Sequence, residues 1–536
     1  MSRKRRFIFA LGSGYIALAV NILHTVLSIP IALHFLTKEE FGLWSVVLQI
    51  TGYLLLLDLG VGQSVARLLV DTKDDINGGI YGSILKTASI VFAIRAFIIL
   101  SCGMFFSHPI AYLMGIPPDF RPAFEALIRW QCLAVSVISC TSPLVSLPLW
   151  SHQRSDLVNF AAVALFAADL LFLWIGFRIG LRMFSLPLAD AAGGLANVTL
   201  MALATKRLKL LPSRGHWGKI TWERSWDVFR FSRDIFVSKL ADQLIFASQI
   251  ILVSRFIGLD AAAVWSVCMK SYGMARLMIY RLYDFSGAGF CEMIVRGEID
   301  WFRSRLASIV ALSAVGAGFC AVLGAFWNRD FVSIWTGGKV SWGMWSDIMA
   351  SAYLYSCVVT RCYTGLPAMV KQIGNYKYIS LLEGALVIGG GIILAPRLHF
   401  SGVLLASLVA NLLCSGAYGA FRVSRYFTTP IVEVTFGWLK GAFLYLVAFA
   451  LAAFGIFWLG SRFNGPFPFL LSSGFAGAAG IVLALIVGIP SEIREELADF
   501  GTRFGPKFRK RRQLPASLVT ESGVLTAIES ELPPRR

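Results

Sequence analysis

Residues 35–52 read Phe-Leu-Thr-Lys-Glu-Glu-Phe-Gly-Leu-Trp-Ser-Val-Val-Leu-Gln-Ile-Thr-Gly, and a related stretch returns 221 positions later at residues 256–273. The shared positions are Phe35 with Phe256, Trp44-Ser45-Val46 with Trp265-Ser266-Val267, and Gly52 with Gly273. Each copy lies where one long apolar segment ends and the next begins. An internal repeat in a very apolar chain is typical of secondary transporters, whose substrate site lies between the repeats. If six spans fill the interval, both halves have the same orientation in the membrane.

The composition is that of a polytopic membrane protein. Hydrophobic residues make up 57% of the chain and charged residues 15%, against about 45–50% and about 25% in soluble proteins. Fourteen segments are long enough to cross a bilayer as helices. The predicted spans are 13–36, 41–58, 80–107, 122–145, 156–178, 186–205, 232–256, 260–286, 304–327, 343–367, 377–396, 402–421, 440–460 and 467–489. Spans 186–205 and 377–396 are the least certain crossings, because the first carries Asp190 and a Gly-Gly pair and the second carries Glu383.

The positive charge is concentrated on one side of the predicted membrane. Of the 49 lysines and arginines, 32 fall in loops or tails on one side, nine on the other and eight within spans. By the positive-inside rule the richer side is cytoplasmic, which places both termini there. The net charge of +18 is explained by topology, so no nucleic-acid partner is expected.

The spans group into an all-α architecture of two six-helix lobes followed by two extra helices. We expect lobes at 1–210 and 233–425, extra helices at 426–490, and a basic, partly disordered tail at 491–536 that contacts membrane lipids. The stretch 211–232 joins the lobes. Trp222, Trp226 and Phe229 predict an amphipathic cytoplasmic helix there, although a plain linker with anchoring tryptophans fits the same residues.

Several chemistries have no residues to support them. Residues 82–87 read Gly-Ser-Ile-Leu-Lys-Thr and lack the glycine that a phosphate-binding loop needs before its lysine. The nine cysteines contain no C-x-x-C pair, and the six histidines show no zinc spacing. We therefore predict no enzyme activity, no metal site and no cofactor.

Charged residues inside the predicted spans are the main functional signal. Each costs about 2.5–3.5 kcal/mol to insert, so such residues tend to face a bundle interior or a wet cavity. Those that stand out are Arg95, Asp169, Lys239, Asp242, Lys270, Arg276, Arg361 and Glu383. At 1.5 Å per residue, Asp242 and Arg276 both lie about 15 Å from the inner ends of their spans. They are predicted to pair, either to lock two helices together or to act on a substrate, and Arg361 with Glu383 is a second predicted pair.

We predict that Lys239, Asp242, Lys270 and Arg276 line a cavity between the halves. The offset of 221 aligns Asp242 with Asn21 and Lys270 with Gln49, which adds two polar positions near His24. The predicted substrate-binding set is Asn21, His24, Gln49, Lys239, Asp242, Lys270 and Arg276. Two of these residues, Asp242 and His24, are also candidates for coupling to an ion gradient, since histidine titrates nearest neutral pH. The alternative for His24 is an interior histidine with a structural role.

A family resemblance rests on the segment from His34 to Arg67. The turn Leu36-Thr-Lys-Glu-Glu-Phe-Gly-Leu43 and the later Leu57-Asp-Leu-Gly-Val-Gly62 resemble the polysaccharide-transporter branch of the multidrug/oligosaccharidyl-lipid/polysaccharide exporter superfamily. The second copy departs from the pattern, with Ala262 and Ala263 in place of Phe-Gly. The resemblance implies a V-shaped bundle of two lobes around a cationic cavity.

The resemblance also implies the substrate. It would be a polyprenyl-pyrophosphate-linked oligosaccharide, flipped by alternating access across the bacterial inner membrane, and intramembrane Lys and Arg suit a pyrophosphate. Other polysaccharide-assembly proteins are candidate partners. Two alternatives stay open: a cation-coupled multidrug exporter of the same superfamily, which would favour acidic cavity residues, and a membrane glycan polymerase, which would need a large external loop.

Overall fold

Long apolar segments can satisfy their backbone hydrogen bonds within lipid as helices, and the chain follows that rule. The computed structural model describes residues 3–58, 61–219, 236–370, 375–462, 465–490 and 494. These described parts are largely helical and contain no strand. The predicted all-α, multi-span fold class is therefore confirmed. We call inner the side on which loop lysines and arginines concentrate, and outer the opposite side.

Fifteen helices of more than five residues follow one another along the described chain. The first half contains α1 (Arg3–Phe35), α2 (Lys38–Leu55), α3 (Val61–Thr72), α4 (Ile80–Leu113), α5 (Arg121–Ser151), α6 (Ser155–Arg178) and α7 (Ser185–Arg207). The second half contains α8 (Phe236–Phe256), α9 (Leu259–Arg296), α10 (Ile299–Trp335), α11 (Met344–Thr364), α12 (Tyr376–Asn411) and α13 (Ala417–Phe427). Two further helices are α14 (Lys440–Gly460) and α15 (Pro466–Leu483). Short helical turns cover Leu56–Asp58, Pro118–Phe120, Arg182–Phe184, Leu366–Met369, Leu412–Gly416, Glu433–Gly437 and Ala484–Gly488.

The predicted spans coincide with these helices. Eleven helical segments of the described chain are long and apolar enough to cross a membrane. One of them, Tyr376–Phe427, contains two predicted spans, separated where His399 has a φ of 52°. Two more predicted spans fall on α9 and α11, helices that carry charged residues. Both uncertain spans, 186–205 and 377–396, lie on helices, and fourteen remains an approximate count of crossings.

The outer surface of the helix bundle is apolar, as contact with lipid requires. Large hydrophobic side chains stand exposed along many helices, including Phe97 at 70%, Phe105 at 77% and Phe475 at 67%. Soluble proteins rarely expose contiguous apolar surface of this kind. Several charged residues of the spans, among them Arg95, Asp169 and Glu383, are instead buried inside the bundle.

The turn between α1 and α2 explains part of the family motif. Thr37 accepts a hydrogen bond from the Glu40 amide at 3.3 Å, and the Glu40 carboxylate accepts one from the Thr37 amide at 2.9 Å. This capping box satisfies amide groups that the start of a helix leaves without partners. The other oxygen of the Glu40 carboxylate lies 2.9 Å from Arg182, which ties the turn to the loop before α7.

The helices of each half pack mainly against their own neighbours. In the first half α1 packs on α6, α4 on α5, and α6 on α7. In the second half α9, α10, α11 and α12 pack in sequence, and α14 and α15 lie against α10. The halves meet chiefly through α2 and α9. The residue limits assigned above to the lobes and extra helices stay predictions.

The segment that follows α7 is fastened to the first half. The Tyr81 hydroxyl donates to the Leu210 carbonyl at 3.2 Å, and Ser83 donates to the Lys219 carbonyl at 2.6 Å. Lys86, the lysine of the rejected phosphate-loop match, donates to the Gly218 carbonyl at 2.9 Å. The predicted amphipathic residues Trp222, Trp226 and Phe229 lie outside the described residues, as does the tail from 491 apart from Arg494.

Candidate functional site

A cavity of about 610 Å³ lies between the two halves. Its walls come from α1, α2, α6 and α7 of the first half and from α8 and α9 of the second. Five of the seven predicted substrate-binding residues line it: Asn21, His24, Gln49, Lys270 and Arg276. The position between the repeats is the one that the internal symmetry predicts for a transporter site.

The outer end of the cavity is closed by the repeated motif itself. The Ser45 hydroxyl donates to the Ser266 hydroxyl at 3.1 Å, and these residues are separated by the repeat offset of 221. Trp44 and Trp265, which are also repeat equivalents, both line the cavity beside this contact. The two copies therefore meet at a local axis of pseudo-symmetry, where α2 crosses α9.

The crossing of α2 and α9 depends on a glycine. A Cβ atom built on Gly42 would lie 1.8 Å from the Leu259 carbonyl oxygen and 3.3 Å from the Ala263 amide nitrogen. Ala263 is the repeat equivalent of Gly42. The departure of the second copy from the family pattern thus has a physical reason, because the helices touch through small residues on both sides.

The Lys270 ammonium group is exposed to the cavity and has no hydrogen-bond or ion-pair partner in the described part of the chain. Arg276, six residues further along α9, lies with its guanidinium carbon 3.9 Å from the centre of the Phe246 ring. Its buried Nε atom has no hydrogen-bond partner among the described residues. Two cations on one helix therefore face the cavity with donors available for an anion.

The predicted pair of Asp242 and Arg276 is not formed. Asp242 is exposed on α8 and has no hydrogen bond or ion pair among the described residues, although the charges of Arg361 and Arg276 act on it. Arg276 instead covers Phe246, one helical turn further along α8. Asp242 itself does not line the cavity. Depth along two helices was similar, but depth does not fix the direction in which each side chain points.

Lys239 also lies outside the cavity lining. Its Nζ atom is 3.3 Å from one oxygen of Asp58, whose other oxygen is 2.8 Å from Arg95. Arg95 also donates to the Ser139 carbonyl. Lys239 therefore connects the second half to the first at the inner side rather than facing a ligand. This corrects the predicted placement, and it gives the acid of the Leu-Asp-Leu-Gly motif a role as the centre of a three-residue charge cluster.

A second inner contact lies beside that cluster. The Tyr53 hydroxyl donates to the Gln243 carbonyl at 3.1 Å, and Gly52 lies against the Gln243 side chain. These inner contacts are polar. At the outer end, by contrast, buried apolar residues of both halves form one continuous cluster that includes Leu33, Leu43 and Val253.

The other predicted pair, Arg361 with Glu383, is also not formed. Arg361 lies 3.2 Å from Asp284. Glu383 is buried and accepts hydrogen bonds from the Asn411 side chain at 2.9 Å and from Ser415. Neutral donors satisfy this carboxyl group, which explains how it is buried without a cation.

The first half contributes two acidic residues to the cavity, Asp169 and Asp190, which we call the acidic wall. Their meeting was not predicted from the sequence. His24 Nε2 lies 2.6 Å from an oxygen of Asp169, and Asp190 accepts a hydrogen bond from Gln131 at 2.8 Å. Asp169, Asp190 and His24 all line the cavity. From the sequence, Asp190 was interpreted only as a reason to doubt span 186–205, and its position in the cavity was not predicted.

The glycine pair that made the same span doubtful has a packing role. A Cβ atom on Gly193 would lie 2.8 Å from the Leu165 carbonyl oxygen and 3.1 Å from the Cβ atom of Asp169. Glycine therefore allows α7 to approach α6 closely, as small residues do between membrane helices. This close approach brings Asp190 beside Asp169.

Arg95→Ala is expected to lower the free energy of unfolding by about 3 kcal/mol, the lower end of the range for breaking a buried ion pair, because Lys239 still neutralises Asp58. Arg95 is only 6% exposed. The melting temperature in detergent measures the effect. The control is Arg296→Ala, which breaks an exposed pair with Glu292 and should cost about 0.3–0.5 kcal/mol. Equal shifts in the two variants would contradict a structural role for the cluster.

Both the sequence and the fold of this chain resemble those of known proteins. A family model described as "Polysaccharide biosynthesis protein" matches residues 10–282. A search of curated proteins gives no match to the sequence.

Solved structures of similar fold are found among transporters. The lipid II flippase MurJ, in an inward closed conformation, aligns with 90% of this chain and 100% of its own, with a TM-score of 0.64 and 13% identity. An inward-facing multidrug resistance MATE family transporter of the MOP superfamily aligns with 78% of this chain and 99% of its own, with a TM-score of 0.58 and 12% identity. A MOP superfamily transporter from Pyrococcus furiosus, described as having a binding pocket of reverse polarity that suggests a different function, aligns with 80% and 98%, with a TM-score of 0.57 and 12% identity. At such identities the likeness shows a shared fold.

Proposed function

Because the chain belongs to the polysaccharide biosynthesis protein family, we propose that it flips a polyprenyl-pyrophosphate-linked oligosaccharide across a membrane during surface polysaccharide assembly. The family match and the MurJ- and MATE-like fold make the chain a multi-pass transporter of the MOP superfamily. The finer parts of the proposal are the substrate, the bacterial inner membrane as its location, and cytoplasmic termini.

The observation that carries the proposal is the pair of cations in the cavity. Lys270 and Arg276 lie within the predicted span 260–286, where a charge without a function is costly. Neither has a carboxylate partner among the described residues. A pyrophosphate supplies the missing negative charge, and charge-assisted hydrogen bonds from lysine and arginine suit its oxygens.

Alternating access requires that the contacts closing one end of the cavity break while those closing the other end are kept, and then the reverse. The outer closure joins the halves through Ser45, Ser266 and close apolar packing, while the inner closure joins them through Asp58, Lys239 and Tyr53. A lipid headgroup entering from the inner side meets Lys270 and Arg276 before the outer closure opens. Rocking of one repeat against the other then exposes the same site to the opposite side.

The acidic wall favours a second candidate function, a cation-coupled multidrug exporter. Asp169 and Asp190 could attract a cationic drug, and their side of the cavity lacks a lysine or arginine among its lining residues. Against this, Lys270 and Arg276 face the same space and repel cations. No specific observation favours a glycan polymerase.

Reconstituted vesicles test the proposed function. A fluorescent polyprenyl-pyrophosphate-linked N-acetylglucosamine is placed in the membrane, and a membrane-impermeant quencher reports the fraction on the outside. The chain is expected to accelerate exchange between leaflets. No acceleration of this lipid, together with uptake of a cationic dye, would replace the proposal with the drug exporter.

Imposed gradients in the same vesicles test energy coupling. His24, held by Asp169, and Asp242, which has no hydrogen-bond partner in the described structure, remain the proposed carriers. A pyrophosphate bound beside Arg276 would offset the positive charge that acts on Asp242, which links binding to protonation. A pH or sodium gradient should accelerate flipping by the natural sequence and not by the combined variant His24→Ala, Asp242→Asn. Equal rates with every gradient collapsed would indicate exchange driven by substrate alone.

A further inference from the structure

The cavity carries opposite charge on its two sides, and each side comes from a different half of the chain. Lys270 and Arg276 on α9 form the basic wall, while Asp169 and Asp190 on α6 and α7 form the acidic wall. The repeat makes the difference explicit at one position. Lys270 is the equivalent of Gln49, so one half presents a cation where the other presents a neutral amide.

The acidic wall is supported from behind by a buried amide. Gln131 is 2% exposed and donates to Asp190, and its Oε1 atom has no hydrogen-bond partner in the described structure. Asp169 is 8% exposed and is held by His24. Buried polar atoms without a partner are rare in folded proteins. Each carboxylate is therefore held in a fixed direction, and the Gln131 Oε1 atom behind them is still able to accept a hydrogen bond.

We propose that the two walls bind adjacent parts of one ligand. The basic wall takes the pyrophosphate, and the acidic wall takes hydroxyl, amide or ammonium donors of the sugar attached to it. This inference rests on the proposed function and adds a prediction about which first sugar the site prefers. The first sugar is neutral or amino-substituted and does not carry a carboxylate.

The physical reason is the donor and acceptor balance of the acidic wall. An ionised carboxylate only accepts hydrogen bonds, so Asp169 and Asp190 match groups that donate. The carboxylate of a uronic acid would meet the carboxylates of Asp190 and of Asp169, the latter already paired with His24, in a site where low polarity strengthens repulsion between like charges. Unfavourable pairing against the wrong ligand is a common source of specificity.

The test compares two probes that differ at one sugar. Polyprenyl-pyrophosphate-linked N-acetylglucosamine and polyprenyl-pyrophosphate-linked glucuronic acid are titrated against the purified full chain in detergent. The natural sequence is expected to bind the first probe at least about tenfold more tightly, since juxtaposed like charges oppose the second. Asp169→Asn and Asp190→Asn should each narrow that ratio by strengthening binding of the glucuronic acid probe.

Asp284→Asn is the matched control, because Asp284 pairs with Arg361 outside the cavity lining, and it should leave the ratio unchanged. Equal affinity of the natural sequence for the two probes, or tighter binding of glucuronic acid, overturns the inference and leaves the proposed function intact. Binding of neither probe counts against the proposed function itself. The ratio for the natural sequence decides the matter even if an Asp→Asn variant fails to fold.

Discussion

Gly42→Ala is expected to reduce transport at least about tenfold by preventing the outer ends from closing. The added carbon would lie 1.8 Å from the Leu259 carbonyl oxygen, so α2 and α9 must separate. Overpacking typically costs about 1–3 kcal/mol, and about 1.4 kcal/mol already changes an equilibrium tenfold. The cost falls only on the conformation in which the outer ends meet, so the protein should populate the outward-open state.

Two measurements check this expectation. Flipping in vesicles reports the rate, and a cysteine at position 49, in a background without the native cysteines, reports access from outside to a membrane-impermeant maleimide. Gly389→Ala is the control, because Gly389 is a helical glycine and a Cβ atom added to it would meet no neighbouring atom within 4 Å. Natural flipping rates in the Gly42 variant, with no gain of outside labelling, would show that the crossing is not the outer closure.

Lys270→Ala is expected to weaken binding of the lipid-linked pyrophosphate by about 10- to 150-fold. Hydrogen bonds to charged groups contribute about 1.5–3 kcal/mol, and the Lys270 ammonium has no described partner within the protein that would share the loss. Arg276→Ala should have a similar effect, although it also uncovers the Phe246 ring. Tryptophan fluorescence during titration measures the affinity.

The matched control is a cation outside the cavity. Arg178 lies over the Trp174 ring at the end of α6, and Arg178→Ala should leave the affinity unchanged. Lys270→Arg should retain binding because the charge and the donors remain. If Lys270→Ala and Lys270→Glu both bound the lipid as tightly as the natural sequence, the cavity cation would have no part in recognition.

The fold was largely predictable because its main determinants are periodic along the sequence. Span length follows bilayer thickness, and the Trp-Ser-Val repeat marked the two helices that cross at Ser45 and Ser266. The charged partners were less predictable. Each residue rotates a side chain by about 100° around a helix, so the similar depths of Asp242 and Arg276 did not show whether the two side chains would meet.

The acidic wall escaped prediction for a related reason. Asp190 gains its neighbour Asp169 only because Gly193 lets two helices approach, and this is a tertiary event. A glycine pair beside an acid in an apolar span is the pattern that indicates such an approach. Because this pattern was interpreted as evidence against a span, the approach of Asp190 to Asp169 was not predicted. Five of the seven predicted substrate-binding residues do line one cavity.

Asp58 has a consequence for how fast the inner side opens. When Lys239 leaves, the carboxylate keeps Arg95 at 2.8 Å, so the separating halves never strand a lone negative charge in a medium that solvates it poorly. Lys239, 37% exposed, can exchange its partner for water or lipid phosphate as it departs. We therefore expect the separation of Lys239 from Asp58 to add little to the activation barrier for opening. If the proposed flipping of a large lipid is correct, each transport cycle would then break this ion pair at low electrostatic cost.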